Sequence, residues 1–465
     1  RQLIPIYTMR ISQLFTVFAV FFTGSFAIEL DIKDKDSVCS AAALVADGML
    51  NYYEGTKYGG TVGMFSQPYY WWESGEAFGG LIDYWYLCQN DTYEQLIYDA
   101  LIAQKGSKND YIPSNQSTTE GNDDQGFWGI TVLEAAERNF TNPTHGTPGW
   151  IALAQAVFNT MWARWDKDYC GGGLRWQIFT WNSGYSYKNT ISTACLFNIA
   201  ARLGRYTGNT TYFDIAEDAY QWLVDVKYIV EGDSAQIFDG AEITDNCTDI
   251  TTIEWSYNYA LMLGGSAYIY NATEDSAWLQ RTEQFLEGAK VFFNDSIMYE
   301  RACQGAGSCN NDQRSFKAIF SRCLGQTSVL VPSTADTIDP WIQASAEAAA
   351  KSCSGGSDGM TCGLNWFLGN WDGKYGLGEQ MSALEVIQNL LIHDREAPYT
   401  NQTGGTSQGD AAAGTSGNGQ SANLNSDDLT ITGKDRAGSG IITAVILAVL
   451  VGGSCLLYTS PSPRD

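Results

Sequence analysis

Two adjacent aspartates are the residues of this chain whose type and spacing most clearly suggest chemistry. Asp123 and Asp124 stand in the stretch STTEGNDDQGFWG (117–129), where a helix is predicted to begin. One aspartate in the first turn of a helix caps free backbone N–H groups, so the simplest interpretation is a helix cap. A second one adds like-charge repulsion, and Phe127 and Trp128 would remove both from water. The pair is therefore a candidate catalytic site.

Adjacent carboxylates on one helix suit the cleavage of glycosidic bonds with retention of configuration. Neighbouring helix positions project about 100° apart, which places the carboxyl groups roughly 5–6 Å from each other. Retaining glycosidases hold their nucleophile and their acid/base about 5–5.5 Å apart. The helix N-terminus favours an ionised nucleophile. Repulsion and the apolar aromatics raise the pKa of the other carboxyl group, which can then donate a proton.

Composition excludes several other classes of function. The chain has 465 residues and a net charge of −25, which argues against binding to the phosphate backbone of nucleic acids. Its two histidines, His145 and His393, are far apart in sequence, so no metal site, cofactor or histidine-dependent triad is predicted. Aromatic residues make up 13% of the chain, with 15 Trp. Such residues fill cores, and they also stack on the C–H faces of sugars.

The two ends of the chain predict its destination. A basic start, an apolar run and a small-x-small finish over 9–27 are typical of a secretory signal peptide. A polar stretch followed by a short apolar run near the other end is typical of a glycosylphosphatidylinositol (GPI) attachment signal. We therefore expect a secreted protein anchored to the outer face of the plasma membrane or held in the cell wall. The predicted segments are a leader with signal peptide at 1–27, a catalytic domain at 28–397, a low-complexity stalk with the attachment region at 398–440, a hydrophobic signal tail at 441–454 and a translated adaptor artefact at 455–465.

Cysteines and glycosylation sequons agree with secretion. Of the 11 cysteines, all but Cys455 lie before the suspect tail, and these ten are predicted to form disulfides. Their connectivity stays open, with Cys303–Cys309 and Cys353–Cys362 as local candidates. The predicted N-glycosylation sites are Asn90, Asn115, Asn139, Asn209, Asn246, Asn271, Asn294 and Asn401.

Helical periodicity recurs along the chain, whereas strand alternation does not. We predict helices near 38–53, 75–88, 92–105, 123–138, 148–164, 189–205, 211–229, 256–270, 275–293, 315–323, 338–352 and 378–393. Related turns of the form Asn-x-Thr plus an aromatic residue follow the second, sixth and eighth helices, and a stretched version follows the fourth. The pattern predicts an all-α fold of six helical hairpins closed into an (α/α)6 barrel; an open helical solenoid is the main alternative.

This organisation also predicts where glycans lie. The aspartate pair opens the first helix of its hairpin, whereas four of the turn sequons close such first helices. The four are Asn90, Asn139, Asn209 and Asn271. We therefore expect the pair and these four glycans on opposite faces of the ring.

Several spaced motifs carry a resemblance to a known family. They are the aspartate pair with its aromatic helix, YCGGGLRWQ (169–177), YKNTISTACLFNIAARLGRYTGN (187–209), WSYNYALMLGG (255–265) and WDGKYGLGEQMSALEVIQ (371–388). In this order they resemble glycoside hydrolase family 76, in particular its fungal GPI-anchored cell-wall branch. The resemblance covers roughly residues 28–397 and the anchor signal.

The resemblance implies a retaining enzyme on α-1,6-linked mannose, with Asp123 as nucleophile, Asp124 as acid/base and no metal. It further implies cleavage of the mannose core of GPI glycans and transfer of the attached protein to cell-wall β-glucan by a monomer at the plasma membrane. Other residues expected near the pocket are Trp71, Trp72, Trp128, Arg175, Trp176, Lys188, Asn189, Tyr257, Asn258, Lys317 and Trp371. For each Trp the competing interpretation is core packing; for Lys188 and Asn189 it is the start of a helix.

Three other functions remain as alternatives. A secreted endo-1,6-α-mannanase would hydrolyse mannan, but the stalk and anchor signal argue against free release. A non-catalytic carbohydrate-binding wall protein would keep an aromatic cleft but has no need of two adjacent carboxylates. A structural adhesin would require longer low-complexity repeats than this chain has.

Overall fold

The structure is a computed structural model that describes residues 27–116, 118–144 and 146–415. Because the inner helices of a barrel are covered on all sides, they are buried along most of their length, whereas the outer helices alternate buried and exposed faces. The helices are α1 Lys35–Leu50, α2 Trp71–Cys88, α3 Glu94–Gln104, α4 Asn122–Glu137, α5 Trp150–Ala163, α6 Thr190–Thr207, α7 Thr211–Asp225, α8 Ser256–Thr273, α9 Ser276–Ala289, α10 Asn311–Leu330, α11 Ala335–Ser352 and α12 Leu377–Gln388.

Six of these helices form a closed inner ring, and the other six pack outside it. Contacts between neighbours run from α2 through α4, α6, α8, α10 and α12 and return to α2. Five outer helices each follow their inner partner along the chain, whereas α12 pairs with α1 from the other end of the described chain. The predicted (α/α)6 barrel is confirmed and the open solenoid is excluded. The sixth helix pair is therefore not a hairpin, because α1 and α12 lie at opposite ends of the described chain.

Short strands and disulfides fasten the long loops. Antiparallel pairs join β1 Tyr187–Asn189 to β4 Gly240–Glu242, β2 Ile229–Val230 to β3 Gln236–Ile237, and β5 Phe293–Asn294 to β6 Ile297–Met298. The disulfides are Cys39–Cys88, Cys170–Cys247, Cys303–Cys309 and Cys353–Cys362. Both predicted local pairs are therefore confirmed.

The prediction that all ten cysteines pair is wrong for two of them. Cys195 and Cys323 are buried free thiols. They lie on α6 and α10, which are separated by α8 in the inner ring. Each fills space beside a helix glycine: Cys195 packs at Gly126 and Cys323 at Gly264. These two thiols are core residues of the barrel.

Inside the ring, a network of buried ion pairs ties the inner helices together. Three arginines (Arg138, Arg202 and Arg322) pair with five carboxylates (Glu76, Asp83, Glu134, Glu137 and Glu385). The hydroxyl of Tyr268 on α8 donates to Glu137 Oε2 at 2.8 Å, so all six inner helices contribute. Uncompensated charges at this depth would be strongly destabilising, and the pairing offsets part of the cost of burying them.

The folded part extends beyond the predicted boundary at 397. Tyr399 N–H donates to Glu137 O at 2.8 Å, and Asn401 N–H donates to Tyr206 O at 3.0 Å. Further along, Asp410 N–H donates to Gln155 Oε1 at 2.6 Å. The stretch 398–415, which the composition assigned to the stalk, thus lies against the barrel. Its backbone finds partners there, although it has little apolar surface to bury.

The remaining predicted segments lie outside the described residues: nearly all of the leader and signal peptide, the rest of the stalk from 416, the hydrophobic tail and the suspected adaptor residues. Within the described ranges, no helix has both the length and the apolar character that crossing a bilayer requires.

Candidate active site

The two aspartates occupy the first turn of α4. Gly121 is the N-cap residue, with φ −90° and ψ 164°. Its N–H donates to Asp124 Oδ2 at 2.6 Å, while the N–H of Asp124 itself donates to Asp123 Oδ1 at 3.1 Å. Both side chains are half-buried. The helix N-terminus thus holds two partly accessible carboxylates through its own backbone donors.

The two carboxylates converge on Gly121. A Cβ built on Gly121 would lie 2.3 Å from Asp123 Oδ1 and 3.1 Å from Asp124 Oδ2, so these oxygens are at most about 5.4 Å apart. Inverting glycosidases separate their carboxyl groups by roughly 6.5–9.5 Å to admit a water molecule, whereas retaining ones need about 5–5.5 Å. The spacing fits the retaining arrangement.

Replacing Gly121 by alanine is therefore expected to lower kcat by about 100-fold or more, because the new methyl group would displace both carboxylates. The backbone angles at Gly121 are open to alanine, so the fold should be unaffected. Steady-state kinetics and a thermal melt would check both statements. Gly305→Ala is the matched control, since a Cβ there meets no atom within 4 Å. Equal activity of the two variants would contradict the geometry.

A buried arginine is hydrogen-bonded to the residues on either side of the two aspartates. Arg164 Nε donates to Asn122 Oδ1 at 2.7 Å, and its Nη2 donates to Gln125 Oε1. Asn122 N–H in turn donates to Trp176 O at 2.8 Å. Asn122 and Gln125 flank the aspartate pair in sequence, so these contacts fix both sides of the turn.

A third carboxylate, which the sequence analysis did not identify, faces the same region. Asp312 lies in the first turn of α10, and its Oδ1 accepts a hydrogen bond from Trp72 Nε1 at 2.9 Å. Burial raises the pKa of Asp124 to about 6; the hydrogen bond from Gly121 opposes the rise and the charge of Asp312 adds to it. Burial, then the charge of Asp124, raises the pKa of Asp123 well above its usual value. Both shifts favour the protonated forms, so the pair binds a proton more readily than two isolated carboxyl groups would.

The region around the pair is acidic. No lysine or arginine side chain within the described ranges forms a salt bridge with Asp123, Asp124 or Asp312. Nor does any group of three or more His, Cys, Asp and Glu side chains in this part of the chain have the arrangement of a metal site.

Aromatic rings line the site, as three of the predicted residues do. Trp72 packs on Phe127 with ring centroids 4.7 Å apart, and Tyr257 stacks on Phe316 at 3.8 Å. Burial raises the pKa of Tyr257 well above its usual value, and the charge of Asp123 contributes. Tyr257 is half-buried, and Trp176 is 39% exposed. Tyr257 thus faces Asp123, and the buried Trp72 lies against Asp312. Trp176 joins the turn through its backbone carbonyl, which accepts the N–H of Asn122.

Three other predicted residues pack in the core instead. Trp128 is 0% exposed and lies in a stack between Trp71, at 5.3 Å, and Tyr111, at 5.4 Å. Trp71 is also buried, and its Nε1 donates to Gln104. Asn258 is 0% exposed, and neither polar atom of its amide has a hydrogen-bond partner among the described residues. The structure therefore places Trp71, Trp128 and Asn258 in the core of the barrel.

The predicted residues of the Gly-rich loop and the following helix have structural roles. Lys188 Nζ donates to the carbonyls of Asp166, Tyr169 and Gly172 at 2.6–2.8 Å, which fixes the loop. Arg175 pairs with Asp166 at 2.8 Å. Asn189 is the N-cap of α6, with its side chain accepting from Ser192 N–H. These three residues therefore hold the loop and helix rather than substrate.

Lys317 and Trp371 also stabilise loops. Lys317 is 1% exposed, donates to Leu364 O at 2.7 Å and lies over the Trp366 ring at 3.6 Å. Burial lowers its pKa to about 7. Trp371 packs on Gly355 and donates its Nε1 to Lys374 O. Both residues fasten the segment that precedes α12.

The sequence contains a signal that would have identified Asp312. Acidic residues occupy the first turn of α2 (Glu73), α4 (the pair), α10 (Asp312) and α12 (Glu379). All four are inner helices that follow a long loop, so these turns share one end of the ring. The predicted helix at 315–323 began too late to include Asp312.

The turn asparagines lie where the barrel predicts. Asn90, Asn139, Asn209 and Asn271 lie at or just beyond the C-terminal ends of α2, α4, α6 and α8, opposite the end that carries the aspartates. Six sequon asparagines are exposed, whereas Asn90 and Asn139 are half-buried. Whether these positions carry glycans stays a prediction.

Comparison with known proteins identifies the family to which this chain is related. The sequence model of Glycosyl hydrolase family 76 matches residues 37–402. The chain belongs to this family of glycoside hydrolases. Among family 76 relatives, the mannan endo-1,6-alpha-mannosidase DFG5 of Saccharomyces cerevisiae is 64% identical over 448 residues, which is 96% of this chain and 97% of the relative. The enzyme of the same name from Candida albicans is 54% identical over 453 residues, covering 96% of this chain and 99% of the relative.

Solved family 76 structures share the fold. Dfg5 from Chaetomium thermophilum, crystallised with glucosamine, superposes with a TM-score of 0.80 at 40% identity, covering 84% of this chain and 98% of that one. An α-1,6-mannanase from Salegentibacter sp. HEL1_6 superposes with a TM-score of 0.62 at 17% identity, covering 76% and 99%. The second comparison concerns the fold alone.

Proposed function

We propose that this protein is a retaining α-1,6-mannosidase-type enzyme that cleaves the mannose core of GPI glycans and transfers the attached proteins to cell-wall β-glucan. The observation that carries the proposal is the convergence of the Asp123 and Asp124 carboxylates on Gly121, within at most about 5.4 Å. Support for the substrate comes from the relatives, which are named mannan endo-1,6-alpha-mannosidases.

The proposed reaction has two displacements at one anomeric carbon. Asp123 attacks that carbon while Asp124 gives its proton to the leaving glycosidic oxygen, which leaves a glycosyl ester on Asp123. Asp124, now ionised, removes a proton from the acceptor hydroxyl, whose oxygen attacks the same carbon and releases Asp123. Water as acceptor gives hydrolysis, and a glucan hydroxyl gives transfer.

The acidic character of the site supports a GPI glycan as donor. Asp123, Asp124 and Asp312 influence one another electrostatically and form no salt bridge with any described residue, an environment that favours a cation. Glucosamine, a sugar of the GPI core, carries a basic amine. The Chaetomium thermophilum relative was crystallised with glucosamine.

We also propose that the enzyme acts outside the cell as a GPI-anchored monomer, with α-1,6-mannan as a further substrate. The disulfides support an oxidising compartment.

Incubation of the protein with α-1,6-mannotetraose, with and without a β-glucan oligosaccharide, tests the proposal. We expect shortened mannosides in both samples and mannose–glucan adducts only with the acceptor, all detected by mass spectrometry. Shortened mannosides without adducts would favour a hydrolytic endo-mannanase over the transferase. Binding without any product would contradict the catalytic function and favour a carbohydrate-binding wall protein.

The pH dependence of activity should depend on the negative charge of Asp312. Because its negative charge raises the pKa of both catalytic carboxyl groups, Asp312→Asn is expected to lower these values. The acidic limb of kcat/KM, which reports ionisation of the nucleophile, should then move to lower pH by roughly half a unit to one unit. Asparagine keeps an acceptor for Trp72. The control is Asp214→Asn, in the first turn of outer helix α7, which should leave the profile unchanged. A profile unchanged in both variants would show that Asp312 does not act on the pair.

A further inference from the structure

An exposed tryptophan stacked on a buried phenylalanine lies on the loop between α5 and β1. Trp181 is 61% exposed, yet its ring stacks on the buried ring of Phe179, with centroids 5.1 Å apart and planes inclined by 16°. Since one face of the indole is covered by Phe179, the exposed area lies mainly on the other face. The indole therefore presents one flat apolar face to solvent, the shape on which the C–H face of a sugar ring can stack.

This pair is fixed to the segment that leads into the catalytic turn. Trp181 Nε1 donates to Thr118 O at 3.3 Å, and Ile178 N–H donates to Glu120 O at 3.2 Å. Gln177 also pairs with Gly121 in an isolated β-bridge. The indole is therefore held in place before any ligand arrives, which reduces the entropy lost on binding.

Two residues with exposed indoles are hydrogen-bonded to the chain just before the aspartate pair. Trp176 is next to it, because its carbonyl accepts the N–H of Asn122, the residue before Asp123. Trp181 lies further out, against Thr118. Both residues are therefore attached to residues 118–122, the segment that leads into the aspartate pair.

The chemistry of the platform favours a particular sugar. Its only polar atom, Nε1, is already bonded to Thr118, so recognition rests on stacking against C–H bonds. β-Linked glucose has all its ring substituents equatorial and offers a C–H face on both sides. The axial hydroxyl of mannose interrupts one of those faces.

We propose that Trp181, supported by Phe179, is an acceptor-side subsite that binds a chain of β-linked glucose residues. This assignment rests on the proposed transfer to glucan and names where the acceptor lies. A mannose donor occupies the aspartate pair, and the glucan extends along the Trp176–Trp181 loop toward it.

Binding measurements on the full chain test the subsite. Wild type, Trp181→Ala, Trp181→Phe and Tyr58→Ala would be titrated by calorimetry with hexaoses of β-1,3-glucose, β-1,6-glucose and α-1,6-mannose. Tyr58 is a fully exposed aromatic on another loop and has no ring contact among the described residues. We expect Trp181→Ala to weaken binding of at least one gluco-hexaose by about five- to tenfold. Trp181→Phe should retain most of the affinity, and Tyr58→Ala should match wild type.

Affinity for the manno-hexaose should be unchanged in all variants, and the two gluco-hexaoses identify which glucan linkage is bound. In the transfer assay, Trp181→Ala should lower the fraction of adducts while leaving mannoside hydrolysis within about twofold. Equal loss of affinity for mannose and glucose chains, or wild-type affinity in Trp181→Ala, would overturn the proposal, as would failure of wild type to bind either gluco-hexaose. The binding titration does not depend on catalysis. Absence of mannosidase activity would therefore contradict the proposed function, while the titration would still decide whether Trp181 binds a glucan chain.

Discussion

Replacement of Asp123 or Asp124 by asparagine is expected to lower kcat on α-1,6-mannosides by at least about 10³-fold. In the proposed mechanism one variant lacks the nucleophile and the other lacks the proton donor and base, and a neutral amide can fill neither role. Asparagine is isosteric and keeps an acceptor for the N–H groups of Gly121 and Asp124. The melting temperature should therefore be unchanged or raised, because a like-charge repulsion is removed.

The matched control is Asp336→Asn, in the first turn of outer helix α11. Substrate consumption and melting temperature would be measured for all three variants. Wild-type rates in either catalytic variant, with the fold intact, would remove that aspartate from the mechanism.

The same two variants can separate the roles of the aspartates. The hydrogen bond from Gly121 favours the ionised form of Asp124 in the free protein, whereas family resemblance assigns the nucleophile to Asp123. With an activated α-mannoside and azide, Asp124→Asn should yield the α-mannosyl azide through the glycosyl ester. Asp123→Asn should yield the β-azide by direct displacement. The reverse pattern would exchange the two roles.

Arg322→Leu is expected to produce the largest loss of stability, about 3–5 kcal/mol. Arg322 pairs with Glu76 at 2.7 Å, with Asp83 at 3.1 Å and with Glu385, all buried inside the inner ring. Removing the guanidinium leaves Glu76 and Glu385 without a salt-bridge partner among the described residues, whereas Asp83 keeps Arg138. Leucine cannot donate to these carboxylates.

Urea unfolding of Arg322→Leu would be compared with that of Arg301→Leu. Arg301 is half exposed and pairs with Glu254 at 3.0 Å, so its loss should cost less than about 1 kcal/mol. Similar midpoints for the two variants would show that the network inside the ring adds no more than a surface ion pair.

The barrel itself could be predicted from the sequence because its helices repeat with a common turn. Every predicted helix overlaps one in the structure. The least accurate is α10, predicted at 315–323 and observed at Asn311–Leu330. Its inward face carries buried polar residues such as Lys317, Arg322 and Gln326, and this interrupts the apolar periodicity on which the prediction depended.

The candidate site was only partly predictable. Asp123 and Asp124 stand out because two like charges adjoin large aromatics in one helix turn. Lys188 stands just before a predicted helix, and its sequence position does not show that its amine reaches back to the loop carbonyls of Asp166 and Gly172. Trp128 was predicted near the pocket because it follows the aspartates in sequence. Its sequence position does not show whether its side chain faces the pocket or the core. Only tertiary packing decides that it lies between Trp71 and Tyr111.

The most direct test of the account is the anomeric configuration of the first product released from α-1,6-mannotetraose, followed by proton NMR before mutarotation. A pair of carboxylates within at most about 5.4 Å predicts net retention, so the α-anomer should appear first and convert slowly to the equilibrium mixture. Initial release of the β-anomer would contradict the account, because net inversion requires direct attack by water without the proposed glycosyl ester on Asp123.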